Sequence, residues 1–495
     1  MSEGAGPQPA AAKDAWPSPA ARPRGRRLRR VTGSLVVLVL VAAVCSFQFD
    51  LGPRWFGFDY PSPVREPSKV PPPQGLTLPE AEDPAPVAAE TEAESADPQA
   101  VRRAVARLLR DRRLGPEVAV AVSQLSDGEV VFRAGEDRVV PASTLKMLTT
   151  AAALTTLGGD HRFRTAVVTA GSPRRIVLVG GGDPLLARRP TADDDAYPAR
   201  ADVQTLARAT AKALRDLGRT RVRLGYDATL FAAPAVSPDW KPSYLTDDIV
   251  SPISPLWVDA GREADSSVRS VDPAAAAAVA FAEALERRNI EVVRAPLPEV
   301  APTDPTELAA VEGAPLDQVV QHVLEASDNE AAEVLFRHVA IAVDQPASFA
   351  GATDAVVQAL AEIGVDASGD RILDGSGLAR GSRLRPETLL ALIAAAAGPD
   401  HPGLRPVLAG LPVAGFTGSL TFRFETGATA GLGSVRAKTG TLSGVHGLAG
   451  TVTTEDGVVL GFVAAADRVR IPNTLAARAR LDEVAAALAA CSCAA

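Results

Sequence analysis

The chain has 495 residues, 46% of them hydrophobic and 22% charged, which is room for about three domains with real cores and excludes a chain that is disordered throughout. Its formal net charge of -8 excludes a general nucleic-acid binder, whose footprint would be a concentrated basic face on the folded part.

The one dense basic cluster is N-terminal: Arg22, Arg24, Arg26, Arg27, Arg29 and Arg30. It stands directly before an apolar run over 31–49, roughly long enough to cross a bilayer. Arginines before such a span favour a cytoplasmic N-terminus, with everything after it outside. A cleaved secretory signal is the competing reading, with Val41-Ala42-Ala43 as a tolerable cleavage site. The expectation is a basic cytoplasmic tail at 1–30, a transmembrane anchor or signal segment at 31–49, and an extracytoplasmic remainder, held at the membrane or secreted if the segment is cleaved. Residues 50–98 are crowded with Pro, Ala and Glu, include Pro71-Pro72-Pro73, and read as a semi-extended linker. Cys45, Cys491 and Cys493 offer no disulfide framework, and the terminal Cys-x-Cys reads as a surface or disordered tail.

Helical spacing over 102–112 is followed by two strands, at 118–123 and 129–133, turned around Ser126-Asp127-Gly128. A further helix then begins at Pro-Ala-Ser143-Thr-Leu-Lys146. Positions i and i+3 share a helix face. A lysine kept neutral there can take the proton of a serine hydroxyl, making Ser143 a nucleophile. Ser-x-x-Lys alone arises by chance about once in a chain of this length. The background sharpens it: Lys and Arg total 51, yet lysine occurs only at 13, 69, 146, 212, 241 and 438. Arginine cannot deprotonate in a protein, whereas a desolvated lysine can.

Residues 163–307 differ in character, with short strand-like runs such as 175–179, and read as an insertion. The glycines at 180–182 lack the Gly-Lys-Ser/Thr of a phosphate loop and read as a tight turn. Ser327-Asp328-Asn329 falls between helical patterns at 316–326 and 330–340, on a short loop; the bland reading is a helix cap. Lys438-Thr439-Gly440-Thr441 lies on a strand, where glycine lets a substrate approach and backbone groups can pair with an extended peptide. The bland reading there is an edge strand guarded by Lys438. Further strands at 447–454 and 458–465 and an alanine-rich helix over 474–490 mirror the N-terminal elements, which suits one antiparallel sheet built from both ends and flanked by helices.

The set Ser143-x-x-Lys146, Ser327-Asp-Asn329 and Lys438-Thr-Gly440 resembles that of penicillin-binding proteins and serine β-lactamases. The roughly 180 residues between the first two motifs, together with Asp374-Gly-Ser-Gly-Leu and Leu411-Pro-Val-Ala-Gly, resemble more narrowly the class C low-molecular-mass penicillin-binding proteins, the D-alanyl-D-alanine carboxypeptidase/endopeptidase family. The resemblance implies the α/β (α+β) transpeptidase fold of that group, an antiparallel sheet flanked by helices. It implies a catalytic domain from 99–162 and 308–490, with inserted domain(s) at 163–307. It also implies Ser143 as nucleophile, Lys146 as base and Ser327 in proton delivery. Asn329, Lys438, Thr439, Gly440 and Thr441 would hold substrate, with the backbone amides of Ser143 and Thr441 at the oxyanion. No cofactor or metal is expected. The implied partners are peptidoglycan stem peptides, with β-lactams as inhibitors. A serine β-lactamase and a silent wall-binding protein on the same fold are the alternatives. The chain departs from the family pattern at Ala379 and Ser382, which puts local loop geometry in question.

Overall fold

The computed structural model describes residues 95–172, 174–191 and 196–495. Asp97 caps the first helix, α1 (Pro98–Val105), by accepting from the Gln99 amide. The helical stretch expected over 102–112 does not continue. Two 3-10 turns, Leu108–Arg110 and Arg112–Leu114, follow instead, broken where Asp111 turns extended and its side chain accepts from the Arg113 amide. A short acidic side chain that satisfies a local N–H offers the backbone an alternative to the helix.

Strands β1 (Glu117–Gln124) and β2 (Val130–Gly135) form the expected hairpin. After it come a 3-10 turn, Ala142–Leu145, and helix α2 (Lys146–Leu157). The chain then enters a second sheet through β3 (Arg162–Thr169) and β4 (Arg175–Val179), α3 (Val203–Asp216) and β5 (Arg221–Asp227). It continues through α4 (Pro273–Glu286), the two-residue strands β6 (Glu291–Val292) and β7 (Leu297–Pro298), and β8 (Glu307–Pro315). The order is β6-β5-β4-β3-β8, with β7 also on β5. Because β3 and β8 are antiparallel neighbours, with Arg162 opposite Pro315, the chain leaves and returns at one place. Ile176, Leu178, Val222 and Leu224 point to one face, where α3 and α4 bury them in a core of their own.

Helices α5 (Leu316–Ala326), α6 (Asn329–Ala342), α7 (Phe349–Glu362) and α8 (Pro386–Ala397) precede β9 (Val435–Leu442), β10 (Val445–Thr453), β11 (Val459–Asp467) and α9 (Thr474–Ala489). The first sheet has the order β2-β1-β11-β10-β9, antiparallel throughout and built from both ends of the chain. Strand periodicity divides its side chains between two cores. Val120, Val122, Leu460 and Phe462 face α1 and α9, while Ala121, Ala449 and Val463 face α2, α6 and α8. This is the expected transpeptidase-like α/β fold.

Two expectations need correction. Among the described residues no helix is long and apolar enough to cross a membrane. That overturns the reading of a transmembrane, membrane-anchored protein for the chain as described. The basic tail at 1–30 and the span at 31–49 lie outside the described residues, and membrane attachment is not carried further. The C-terminal Cys-x-Cys is no surface tail: Cys491 and Cys493 are buried and disulfide-bonded. The Asp97 amide donates to the Cys493 carbonyl at 2.7 Å, and Ala495 to Ser95 at 2.7 Å, tying the tail to the start of the folded region.

Candidate active site

Ser143 sits on the 3-10 turn, half-buried, one residue after Ala142, whose φ of 45° is left-handed. The Thr144 hydroxyl donates to the Pro141 carbonyl at 2.7 Å and braces the turn. Lys146, the first residue of α2, is fully buried. Its Nζ lies 3.0 Å from Ser143 Oγ, 2.8 Å from Asn329 Oδ1 and 2.7 Å from the Ser376 carbonyl. An ammonium has three donors, and here three acceptors receive them. Burial pushes the lysine down to about 8, against the opposing pull of Asp374, Glu333, Asp328 and Glu330. At neutral pH a fraction of roughly one in ten is then the free amine, enough to act as a base.

Asn329 arrives from the turn between α5 and α6. Ser327 ends α5 in a left-handed conformation (φ 59°), and Asp328 caps α6 by accepting from the Ala331 amide at 2.9 Å. The cap role proposed as the bland reading is thus filled by Asp328 alone, which leaves Ser327 and Asn329 free of it. Among the described residues the Ser327 hydroxyl makes no hydrogen bond to Ser143 or Lys146. It lines a cleft of about 500 Å³ together with Asn329, Ile249, Tyr197, Arg200 and Arg269.

The expected strand motif lies on β9, an edge of the first sheet. A Cβ on Gly440 would fall 2.7 Å from the Pro141 carbonyl oxygen and 3.4 Å from Ala142 Cβ. The strand therefore runs directly against the nucleophile turn, and glycine is what permits the approach. For that reason Lys438 is fully buried and guards no open edge. Burial, and then the neighbouring Lys146, hold its amine well below the ordinary range. Thr439 Oγ1 lies 2.8 Å from Ser419 Oγ, and Thr441 is exposed.

Several residues that sequence reasoning missed support this centre. Glu333, one turn after Asn329 on α6, accepts from the amides of Gly375 and Ser376, at 3.0 and 2.8 Å. It thereby fixes the carbonyl that holds Lys146. Burial, and Asp374 beside it, push the Glu333 carboxyl up. Asp374 accepts from Trp240 Nε1 at 2.8 Å and from the amides of Ala379 and Gly377 at 2.7 and 3.0 Å. Ala379 departs from the family pattern but contributes through its backbone, so alanine serves there. The other departure, Ser382, has a buried hydroxyl with no partner among the described residues. The signal for Glu333 was its place one turn after Asn329 on the same helical pattern. Among the described residues no group of three or more His, Cys, Asp and Glu is placed to hold a metal ion.

The sequence matches the family model of the D-Ala-D-Ala carboxypeptidase 3 (S13) family over residues 101–268 and 262–488. The chain belongs to that family. Within the family range of similarity, it is 38% identical over 400 residues to a carboxypeptidase of Mycobacterium tuberculosis, covering 79% of this chain and 84% of that protein. It is 35% identical over 407 residues to the carboxypeptidase DacB of Mycolicibacterium smegmatis, covering 80% and 86%. Among solved structures, penicillin binding protein 4 of Haemophilus influenzae shares the fold with a TM-score of 0.63 at 20% identity, covering 78% of this chain and 98% of that one. As an S13-family member the chain is a serine hydrolase of the carboxypeptidase type.

Proposed function

We propose that Ser143 forms the acyl-enzyme of a serine-type D-alanyl-D-alanine carboxypeptidase/endopeptidase that acts on peptidoglycan stem peptides. One observation carries the assignment: a fully buried lysine amine stands 3.0 Å from the serine hydroxyl, with its other two donors engaged.

In the forward step the free amine of Lys146 takes the Ser143 proton as Oγ attacks the scissile carbonyl carbon. The carbonyl electron pair moves onto oxygen, where the backbone amides of Ser143 and Thr441 receive it; one such donor is worth about 3 kcal/mol of barrier. As the intermediate collapses, the C–N bond breaks and the proton that Lys146 took passes by way of Ser327, on the cleft wall, to the departing D-alanine amine. The Asn329 amide holds the acyl side. Lys438 and Thr439 attract the terminal carboxylate, with Gly440 clearing its approach. A buried Lys438, without a carboxylate partner among the described residues, gains its counter-charge when that group binds. Water then cleaves the ester. A β-lactam acylates the same serine and leaves slowly. Residues 163–307 act as an inserted body beside the catalytic domain of 99–162 and 308–490.

Incubation of the purified protein with uncross-linked and cross-linked muropeptides, read by mass, tests the reading. Release of D-alanine from pentapeptides or opening of D-alanyl cross-links is expected; intact substrates would contradict it.

A further inference from the structure

A second concave site lies in the other sheet, and it shares no residue with the centre around Ser143. At the starts of the parallel strands β4 and β5 a groove of about 490 Å³ is lined by Arg174, Arg175, Arg219, Arg221 and Arg223 and by no carboxylate. The chain as a whole is acidic, with a net charge of -8, so this concentration reverses the local sign.

The sheet register makes the crowding costly. Arg175 stands directly opposite Arg223 across the β4–β5 ladder, and like charges facing each other across strands destabilise a sheet. Two of the five are partly neutralised from outside the groove, Arg175 by Glu299 and Arg221 by Glu291, the latter through two hydrogen-bonding contacts at 2.8 and 2.9 Å. Arg174, Arg219 and Arg223 have no carboxylate partner among the described residues. The Nε of Arg219 is moreover buried with no hydrogen-bond partner among the described residues. Cations that a fold packs together without internal anions fit an anion from outside.

The spacing bears on which anion. Arg221 and Arg223 are two residues apart on one strand, about 6–7 Å, and Arg175 lies one strand away, about 5 Å. Such a row suits successive charges of a linear polymer better than one small ion. Val222 and Val293 are the only large apolar residues of the lining, so the groove lacks the pockets that anchor peptide side chains. These arginines line a concavity, a shape that receives a strand and not a flat surface. Guanidinium forks pair with phosphate in bidentate fashion.

We infer that this groove binds a linear phosphodiester polymer by counter-charge, holding the enzyme to a polyanion through a site separate from its catalytic centre.

The test is binding of fluorescently labelled poly(glycerol phosphate) to the full chain. The arginines Arg22, Arg24, Arg26, Arg27, Arg29 and Arg30 are replaced by glutamine so that they do not mask the groove. Affinity should fall roughly 20- to 50-fold between 50 and 200 mM salt if three or four guanidiniums release counterions. In that background Arg174→Glu with Arg223→Glu should lower affinity at least tenfold, while penicillin labelling of Ser143 stays unchanged. Arg223→Glu alone should not lower the melting temperature, because it sets a carboxylate opposite Arg175. Undiminished binding by the double variant, or no binding by the parent at 50 mM salt, would overturn the inference. So would equal competition by poly-glutamate, which would assign the groove to carboxylates. Binding to phosphatidylglycerol vesicles without binding to the polymer would assign it to a lipid surface and equally overturn it.

Discussion

The amine of Lys146 lies 2.8 Å from the amide oxygen of Asn329, 183 residues further along the chain. The contact joins the start of α2 to the start of α6 and holds Nζ on the side of Ser143. An Asn329→Asp variant replaces a neutral acceptor with a carboxylate, which favours the ammonium. The pH at which acylation switches on should move upward, whereas an unshifted profile would show that Asn329 does not govern the lysine.

Lys146→Arg keeps charge and length but removes the capacity to deprotonate. The acylation rate by a fluorescent penicillin should fall at least about 100-fold, the usual worth of a positioned base. A variant acylated at the parental rate would exclude Lys146 as the base.

The pH dependence follows in sign from the lysine. Burial brings its pKa down to about 8, and the free amine is the reactive form. Acylation should therefore rise with pH through about 8 and level off above it, measured under single-turnover conditions. In the folded state the amine also loses its proton below the unfolded value of about 10.4, so over pH 8 to 10 the unfolded chain binds more protons and this group's contribution to stability increases with pH.

Much of this centre was legible in the sequence because each motif is short and local. The pairing of Ser143 with Lys146 needs one turn of chain, and the short turn carrying Ser327 and Asn329 is bounded by two clear helical patterns. The first sheet was legible too, from matching apolar runs at both ends. The burial of Lys438 was not. An edge strand normally faces solvent, and only the tertiary fold brings Pro141 and Ala142 against Gly440. Glu333 and Trp240 escaped for a related reason: their hydrogen bonds to Ser376 and Asp374 join segments 43 and 134 residues apart, and no local pattern encodes that. The helix expected over 102–112 ends at Val105 and gives way to 3-10 turns, and the chain turns extended at Asp111, whose side chain accepts from the Arg113 amide.

Gly440→Val should uncouple β9 from the nucleophile turn. Its Cβ would stand 2.7 Å from the Pro141 oxygen, a backbone atom with little room to give, and overpacking of this kind costs about 1–3 kcal/mol. Thermal melting should report that loss and penicillin labelling a much larger one. Labelling at the parental rate would mean that the close approach is not needed for acylation.

Trp240→Phe removes the indole N–H that reaches Asp374 and leaves a buried carboxylate oxygen short of a donor. A loss of about 1–3 kcal/mol in urea unfolding is expected, and an unchanged midpoint would show that the contact carries no weight.

The most direct measurement is the intact mass of the protein after brief exposure to benzylpenicillin, followed by peptide mapping of the adduct. One penicilloyl group on Ser143, absent from Ser143→Ala while that variant still melts cooperatively, is the predicted result. An adduct on another residue, or undiminished acylation of Ser143→Ala, would contradict the account.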